Sequence, residues 1–203
     1  MKAMGFDFSQ DYILEDGLVR LRPLCNDDVE HLAAFSLHQP EIFKYSSVPV
    51  AGKENLENYI QKAVANREKN TEYAFIAFDK RTDEYAGSTR FYDIQLNHKT
   101  LQLGYTWYGK QFHGTGLNKH CKFLLLQFAF ETMGMERVEF RADNENARSI
   151  AAMKSIGCKV DGILRSNLIK LDGGRRDSIV LSILKEEWLK SAKDDLQTKL
   201  NWP

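Results

Sequence analysis

The feature that most limits what this chain can become is a run of three strand-like segments with no room for a helix between them. Residues 72–79, 84–94 and 101–108 are rich in aromatic and apolar residues, and the links between them are short and polar. A parallel connection needs a crossover of a dozen or more residues, so these three segments must form an antiparallel meander. The next part of the chain has a different rhythm. Residues 117–132 place Leu117, Cys121, Leu124, Leu125 and Phe128 on one helical face. A strand over 136–142, a helix over 146–156 and a strand over 158–166 follow, so a crossover enters the sheet at this point.

The flanks complete the pattern. Residues 18–24 alternate as a strand that Pro23 ends, and Asn26-Asp27-Asp28 offers capping side chains to a helix through Val29, Leu32, Ala33 and Leu37. Residues 53–68 repeat Leu56, Tyr59, Ile60 and Ala63 at helical spacing. Near the end, Leu171-Asp172-Gly173-Gly174 is a turn before a strand over 177–184, and the tail from Lys185 reads as helix. The expected fold is α+β, a single domain over 1–203 whose mostly antiparallel sheet of about seven strands is flanked by helices. Its core spans about 18–188, with a short N-terminal extension and a helical C-terminal tail. A doubly wound dinucleotide fold would alternate strand and helix from its start, and this chain does not.

Charge narrows the possible partners. Lys plus Arg and Asp plus Glu are 28 each, so there is no basic excess of the kind that holds nucleic acid. No apolar run is long enough to cross a bilayer, and the first residues lack a basic-then-apolar signal. Cys25, Cys121 and Cys158 are far apart, odd in number and without metal-ligand spacing. Buried thiols in a reducing cytoplasm are the expectation, with no metal, no membrane and no direct nucleic-acid contact.

The junction after the third meander strand carries chemistry. In Tyr108-Gly109-Lys110-Gln111-Phe112-His113-Gly114-Thr115-Gly116-Leu117-Asn118, two glycines flank Thr115 where the helical pattern begins. Glycine allows a tight turn, and the first amides of a helix lack internal partners at its positive end. A pyrophosphate suits both, with Lys110 and His113 nearby to add charge or donors. A Walker loop is excluded because no Gly-Lys-Ser/Thr follows.

This junction resembles the Gln/Arg-x-x-Gly-x-Gly/Ala signature of the GNAT N-acetyltransferase superfamily, through Gln111, Gly114 and Gly116. Gly104-Tyr105-Thr106-Trp107-Tyr108, Asn146-Ala147-Arg148-Ser149, Gly157 and Arg176-Asp177 are similar to the words of its RimJ/RimL-like branch, in the same order. The resemblance runs from Leu18 to Trp188. It implies a sheet that opens between the fourth and fifth strands and an acetyl-CoA cosubstrate lying in the gap. Trp107, Tyr108 and Gly109 would then contact the pantetheine arm and acetyl group through their backbone. Gln111, His113, Gly114, Thr115, Gly116, Leu117 and Asn118 would wrap the pyrophosphate. The implied activity is acetyl transfer to a primary amine, with a protein N-terminus as the expected acceptor. Alternatives are a small amine such as a polyamine or aminoglycoside, or a sensor that binds acyl-CoA without turnover. The oligomeric state is left at monomer or homodimer.

Asn146 and Ser149 share a face at the start of a helix, where both residue types serve as ordinary caps. The resemblance gives Asn146 a contact with pantetheine and makes Ser149 the candidate donor to the departing thiolate. Many relatives place a tyrosine seven residues after this asparagine, and here that slot is Met153. Asp93, His98 and Glu139 are the carboxylates and imidazole considered as general bases. The variable stretch 42–50 corresponds to the acceptor side of the family.

Overall fold

The computed structural model of the protein describes residues 6–200; residues 1–5 and 201–203, at the ends of the expected extension and tail, lie outside it. In chain order the elements are β1 (Leu14–Glu15), β2 (Val19–Pro23), α1 (Val29–His38), α2 (Lys53–Glu68), β3 (Tyr73–Asp79), β4 (Glu84–Gln95) and β5 (Thr100–Tyr108). There follow α3 (Leu117–Gln127), β6 (Arg137–Asp143), α4 (Ala147–Ser155), β7 (Lys159–Ile169) and β8 (Arg175–Leu184). Two helical pieces, α5 (Lys185–Glu187) and α6 (Lys193–Leu200), close the described chain. The seven expected strands are present, and the two-residue β1 adds an eighth at the edge.

All strands belong to one sheet in the order β1-β2-β3-β4-β5-β6-β8-β7. Every neighbouring pair is antiparallel except β5 with β6, which the crossover through α3 makes parallel. That parallel ladder is short: Thr100, Leu101 and Gln102 pair with Arg137, Val138 and Glu139, and there it stops. Both strands continue, β5 against β4 as far as Tyr108 and β6 against β8 as far as Asp143. From Leu103 and Phe140 onward their facing edges have parted.

The cause is a bulge in β5. Between the pairs Ser88–Trp107 and Arg90–Gly104, β5 has two residues where β4 has one. Tyr105, one of the two, has a left-handed backbone with φ of 49°. A bulge adds local twist and bends its strand, which swings the second half of β5 away from β6. The strain of a non-glycine residue there, about 1–3 kcal/mol, is offset by tight packing. The Tyr105 ring meets Tyr92 edge-on at 5.0 Å and lies 4.4 Å from the Arg90 guanidinium. Its carbonyl accepts from the Tyr59 hydroxyl at 3.3 Å.

Beyond the bulge, alternation sends Trp107 to one face and Thr106 and Tyr108 to the other. Trp107 packs among Phe35 of α1, Phe43 and Tyr59 of α2. Tyr108 is buried against Cys121 of α3, whose fully buried Leu117, Cys121 and Leu125 match the expected helical face. The C-terminal pieces seal this layer: Trp188 is fully buried, stacks on Phe130 and donates to Glu131 at 3.0 Å.

One buried charge marks the fork. Lys122 of α3 donates to Thr106 of the bulge at 2.8 Å and to Thr89 of β4 at 3.4 Å, and it faces the Phe140 ring of β6 at 5.7 Å. It makes no ion pair among the described residues. Burial pushes its ammonium down to about 8. The unfolded chain keeps this proton to its ordinary pKa of 10.5, so the folding penalty is full below pH 8 and fades as pH rises from 8 toward 10.5. Lys122→Met, of similar volume, should therefore be more stable than the parent at pH 7, by an amount approaching ~3 kcal/mol. That advantage should shrink toward pH 10 in parallel urea titrations. A difference that stays constant with pH would show that the lysine is not carried as a buried cation.

Candidate active site

The turn between β5 and α3 is built by local rules. Residues Lys110–Phe112 form one turn of tight helix. Gly114 and Gly116 then take φ of 79° and 87°, a left-handed conformation that side chains resist. Thr115 between them anchors the turn by donating its hydroxyl to Phe112 O at 2.9 Å. The result is a row of free donors. The amides of Gly114, Thr115, Gly116 and Asn118 have no protein acceptor among the described residues, and that of Leu117 reaches only Thr115 Oγ1 at 3.5 Å. They gather at the positive end of α3, the arrangement that receives a phosphate-type anion.

Two salt-bridged side chains not singled out from the sequence brace this turn. Arg81 grips Asp79 through Nε at 2.9 Å and Nη2 at 2.6 Å, and its Nη1 donates to Thr115 O at 2.9 Å. An arginine paired two residues from its carboxylate reads as an ordinary hairpin contact, and only the fold brings it to the glycine turn. Charge at the turn is sparser than the sequence suggested. Lys110 is paired with Glu41. His113 donates its Nε2 proton to Tyr108 O at 2.9 Å, and burial lowers its pKa, so the ring is neutral at neutral pH. It ties the turn to the end of β5 instead of supplying a cation.

The turn is also latched to the region before α2. Gly109 lies so close to α1 that an added Cβ would sit 2.3 Å from the Phe35 ring. The amide of Lys110 donates to Gln39 Oε1 at 2.8 Å, and Gln111 accepts weakly from Gln39 Nε2 at 3.4 Å. Glu41, Lys110's partner, belongs to the short turn Pro40–Phe43. The stretch 42–50, expected on the acceptor side, thus begins one residue from the glycine turn's main anchors. Further along it, Ser47 lies beside the Tyr105 hydroxyl and Tyr45 reaches Glu145 O at 3.4 Å.

On the opposite bank of the gap, Asn146 caps α4 by accepting from Ser149 N at 3.1 Å. The Ser149 hydroxyl makes no hydrogen bond among the described residues, and the side chain is half-buried. Arg148 is near enough to act on His113, so the start of α4 faces the glycine turn. Met153, in the tyrosine slot, is buried in the core beneath α4. The three candidate bases lie elsewhere. Glu139 is held by Arg137 at 3.0 Å and Arg141 at 2.7 Å, and Asp93 accepts from Gln95 and Gln102. Both sit at the closed end of the gap with the Thr100–Gln102 ladder, and His98 is in the β4–β5 turn.

These features suit a long ligand with an anionic middle and a peptide-like arm. The unpaired edges of Leu103–Tyr108 and Phe140–Asp143 offer backbone groups to the arm, and the free amides of the turn suit a pyrophosphate. The buried Asn118 Oδ1 and Trp107 Nε1 also lack protein partners. Among the described residues no group of three or more His, Cys, Asp or Glu side chains is arranged to hold a metal.

Comparison with known proteins agrees with this geometry. The pattern defining the acetyltransferase (GNAT) domain matches residues 19–159. The uncharacterized N-acetyltransferase p20 of Bacillus licheniformis is 25% identical over 169 residues, 83% of this chain and 93% of that protein. A protein of Bacillus subtilis (strain 168), provisionally named ribosomal N-acetyltransferase YdaF, is 34% identical over 94 residues, 46% of this chain and 50% of the relative. The crystal structure of a GCN5-related N-acetyltransferase from Brucella melitensis superposes with a TM-score of 0.85 at 26% identity, covering 94% of this chain and 86% of that one. With its forked sheet and glycine turn, the chain belongs to the GNAT family of acyl-CoA-dependent N-acetyltransferases.

Proposed function

We propose that the protein acetylates the amino terminus of a protein acceptor from acetyl-CoA bound in the fork between β5 and β6. The observation that carries this reading is the row of free amides at the start of α3, placed beside the parted strand edges. Gly114, Thr115, Gly116, Leu117 and Asn118 hold the pyrophosphate through backbone donors, with Gln111 and His113 fixing the turn. Trp107, Tyr108 and Gly109 line the pantetheine arm with backbone groups. Asn146 orients that arm at the start of α4. The provisional name of the Bacillus subtilis relative supports a protein acceptor.

Acetyl-CoA supplies an activated thioester, whose acetyl group passes to a neutral amine with release of a thiol. A terminal α-amine, with a pKa near ~8, loses its proton far more readily than a lysine at ~10.4, so no strong base is required and water can carry the proton away. That fits a site whose nearby carboxylates are taken by arginine or amide partners. The free Ser149 hydroxyl donates a hydrogen bond to the departing sulfur as negative charge grows there. Its protein-side valence is unused, so it is available for that task.

Two outcomes test this. Acetyl-CoA at ~100 times its Kd should stabilise the protein by roughly 2.7 kcal/mol against heat, because it binds only the folded form. Gly114→Val and Gly116→Val should remove that shift. A parent melting curve unmoved by saturating acetyl-CoA would refute binding in the fork. The second outcome concerns the bank of α4. Ser149→Ala should lower kcat, by up to ~100-fold, with the acetyl-CoA Kd nearly intact, whereas Asn146→Ala should mainly weaken binding. Near-normal kcat in Ser149→Ala with a lower melting temperature would reduce Ser149 to a helix-start residue.

A further inference from the structure

Beyond Asp143 at the end of β6 lies a cavity of about 240 Å³. It is walled by residues 44–47, by Asp143 and Glu145, and by the β7–β8 hairpin through residues 169–172 and Arg176. This is small against the ~300–1,000 Å³ of sites for drug-sized ligands, so it suits the end of an acceptor. Its position is informative. Glu145 immediately precedes Asn146, and the 44–47 wall reaches Tyr105 of the bulge through Ser47. The cavity therefore adjoins the α4 bank of the fork, whereas the glycine turn and its free amides lie at the start of α3.

Arg176 is the anomaly in this cavity. It is only 8% exposed, yet it makes no ion pair among the described residues. Its Nε donates to Ser178 Oγ at 3.0 Å, and the other two guanidinium nitrogens have no protein acceptor among those residues. The neighbouring carboxylates are already engaged. Glu145 is bound by Lys170 at 2.8 Å, and Asp143 accepts from the Glu145 amide at 2.9 Å with Lys170 a further 3.7 Å away. Asp172 caps its own turn by accepting from Gly174 N. Lys44, also in the wall, sits over the Tyr45 ring without an acidic partner. A largely buried guanidinium whose two Nη groups have no protein acceptor is free to take an anion that enters the cavity, and burial strengthens such a charge-assisted pair. Tyr92 and Tyr105 feel its charge but supply no anion, because burial raises the pKa of both phenols.

We infer that the acceptor carries a carboxylate close to its amine and that Arg176 receives this carboxylate as a two-toothed partner. The inference rests on the acetyl-transfer reading and adds the acceptor's chemical class. The carboxylate has two sources: the side chain of an acidic residue next to the terminal amine of a peptide, or the α-carboxylate of a free amino acid. Arg176 touches the acceptor's recognition group and not the reacting atoms, so it sets specificity.

Two matched pairs separate the sources: Ser-Asp-Ala-amide against Ser-Asn-Ala-amide, and alanine against alaninamide. The parent enzyme should favour the carboxylate member of one pair by ~10- to 100-fold in kcat/KM. Arg176→Gln should erase that preference through KM while leaving the neutral member and the acetyl-CoA Kd unchanged, and Arg176→Lys should restore part of it. No preference in either pair, or an equal loss for both members in Arg176→Gln, overturns the proposal. A second readout needs no turnover. With CoA present, N-acetylated Ser-Asp-Ala-amide or N-acetylalanine should raise the melting temperature of the parent and not of Arg176→Gln. Absence of any shift in the parent overturns the proposal even if neutral amines are acetylated. A shift that depends on Arg176 without acetylation of any acceptor upholds the carboxylate site and counts against transfer.

Discussion

Everything at the site depends on one residue too many in β5. Pairing between β5 and β6 would otherwise have every reason to continue, since both strands are long and flanked by good partners. The extra residue at Tyr105 converts a continuous ladder into a fork, and the fork exposes backbone groups that an ordinary sheet would consume. The cost is met by aromatic and cationic packing from the half-buried Tyr92 and the buried Arg90. Strain, packing and an open edge are therefore a single arrangement.

The electrostatic character of the site follows from the same economy. Of the cations near the glycine turn, Lys110 is neutralised by Glu41 and Arg81 serves as a brace between Asp79 and Thr115. What the turn itself presents to an anion is a cluster of oriented amides. Such donors need no side-chain ordering when a ligand arrives, so their entropic cost is met on folding. Lys122 shows the opposite case: a cation buried at the crotch of the fork, tied to hydroxyls alone.

The three-stranded meander and the glycine turn were legible because both rest on short-range rules. Links too short for a helix force a meander, and paired glycines before an apolar helix announce a left-handed turn. Asn146 was legible in the same way, as a cap three residues before Ser149. What the sequence hid are the contacts that need the fold. Arg81 looks like a hairpin partner of Asp79 until the β3–β4 turn and the glycine turn are side by side. His113 reads as a possible charge until its ring is seen bonded to Tyr108 O. The bulge left no trace in the alternation of β5, because Tyr105 and Thr106 are ordinary strand residues. None of Asp93, His98 and Glu139 stood out as a base, since nothing in their spacing reveals which end of the fork they occupy.

The latch between the glycine turn and the Pro40–Phe43 turn carries an evolutionary consequence. Gln39 and Glu41 hold the backbone and side chain of Lys110, and Phe35 closes on Gly109, so the segment leading into residues 42–50 also shapes the glycine turn. Substitution cannot proceed freely from the first residue of that segment. Its leading positions are held to the turn, and change is freer further along, from Lys44 onward, where the chain faces the cavity and no longer the turn. One half of this loop can thus vary while the other half stays under the restraint of the turn.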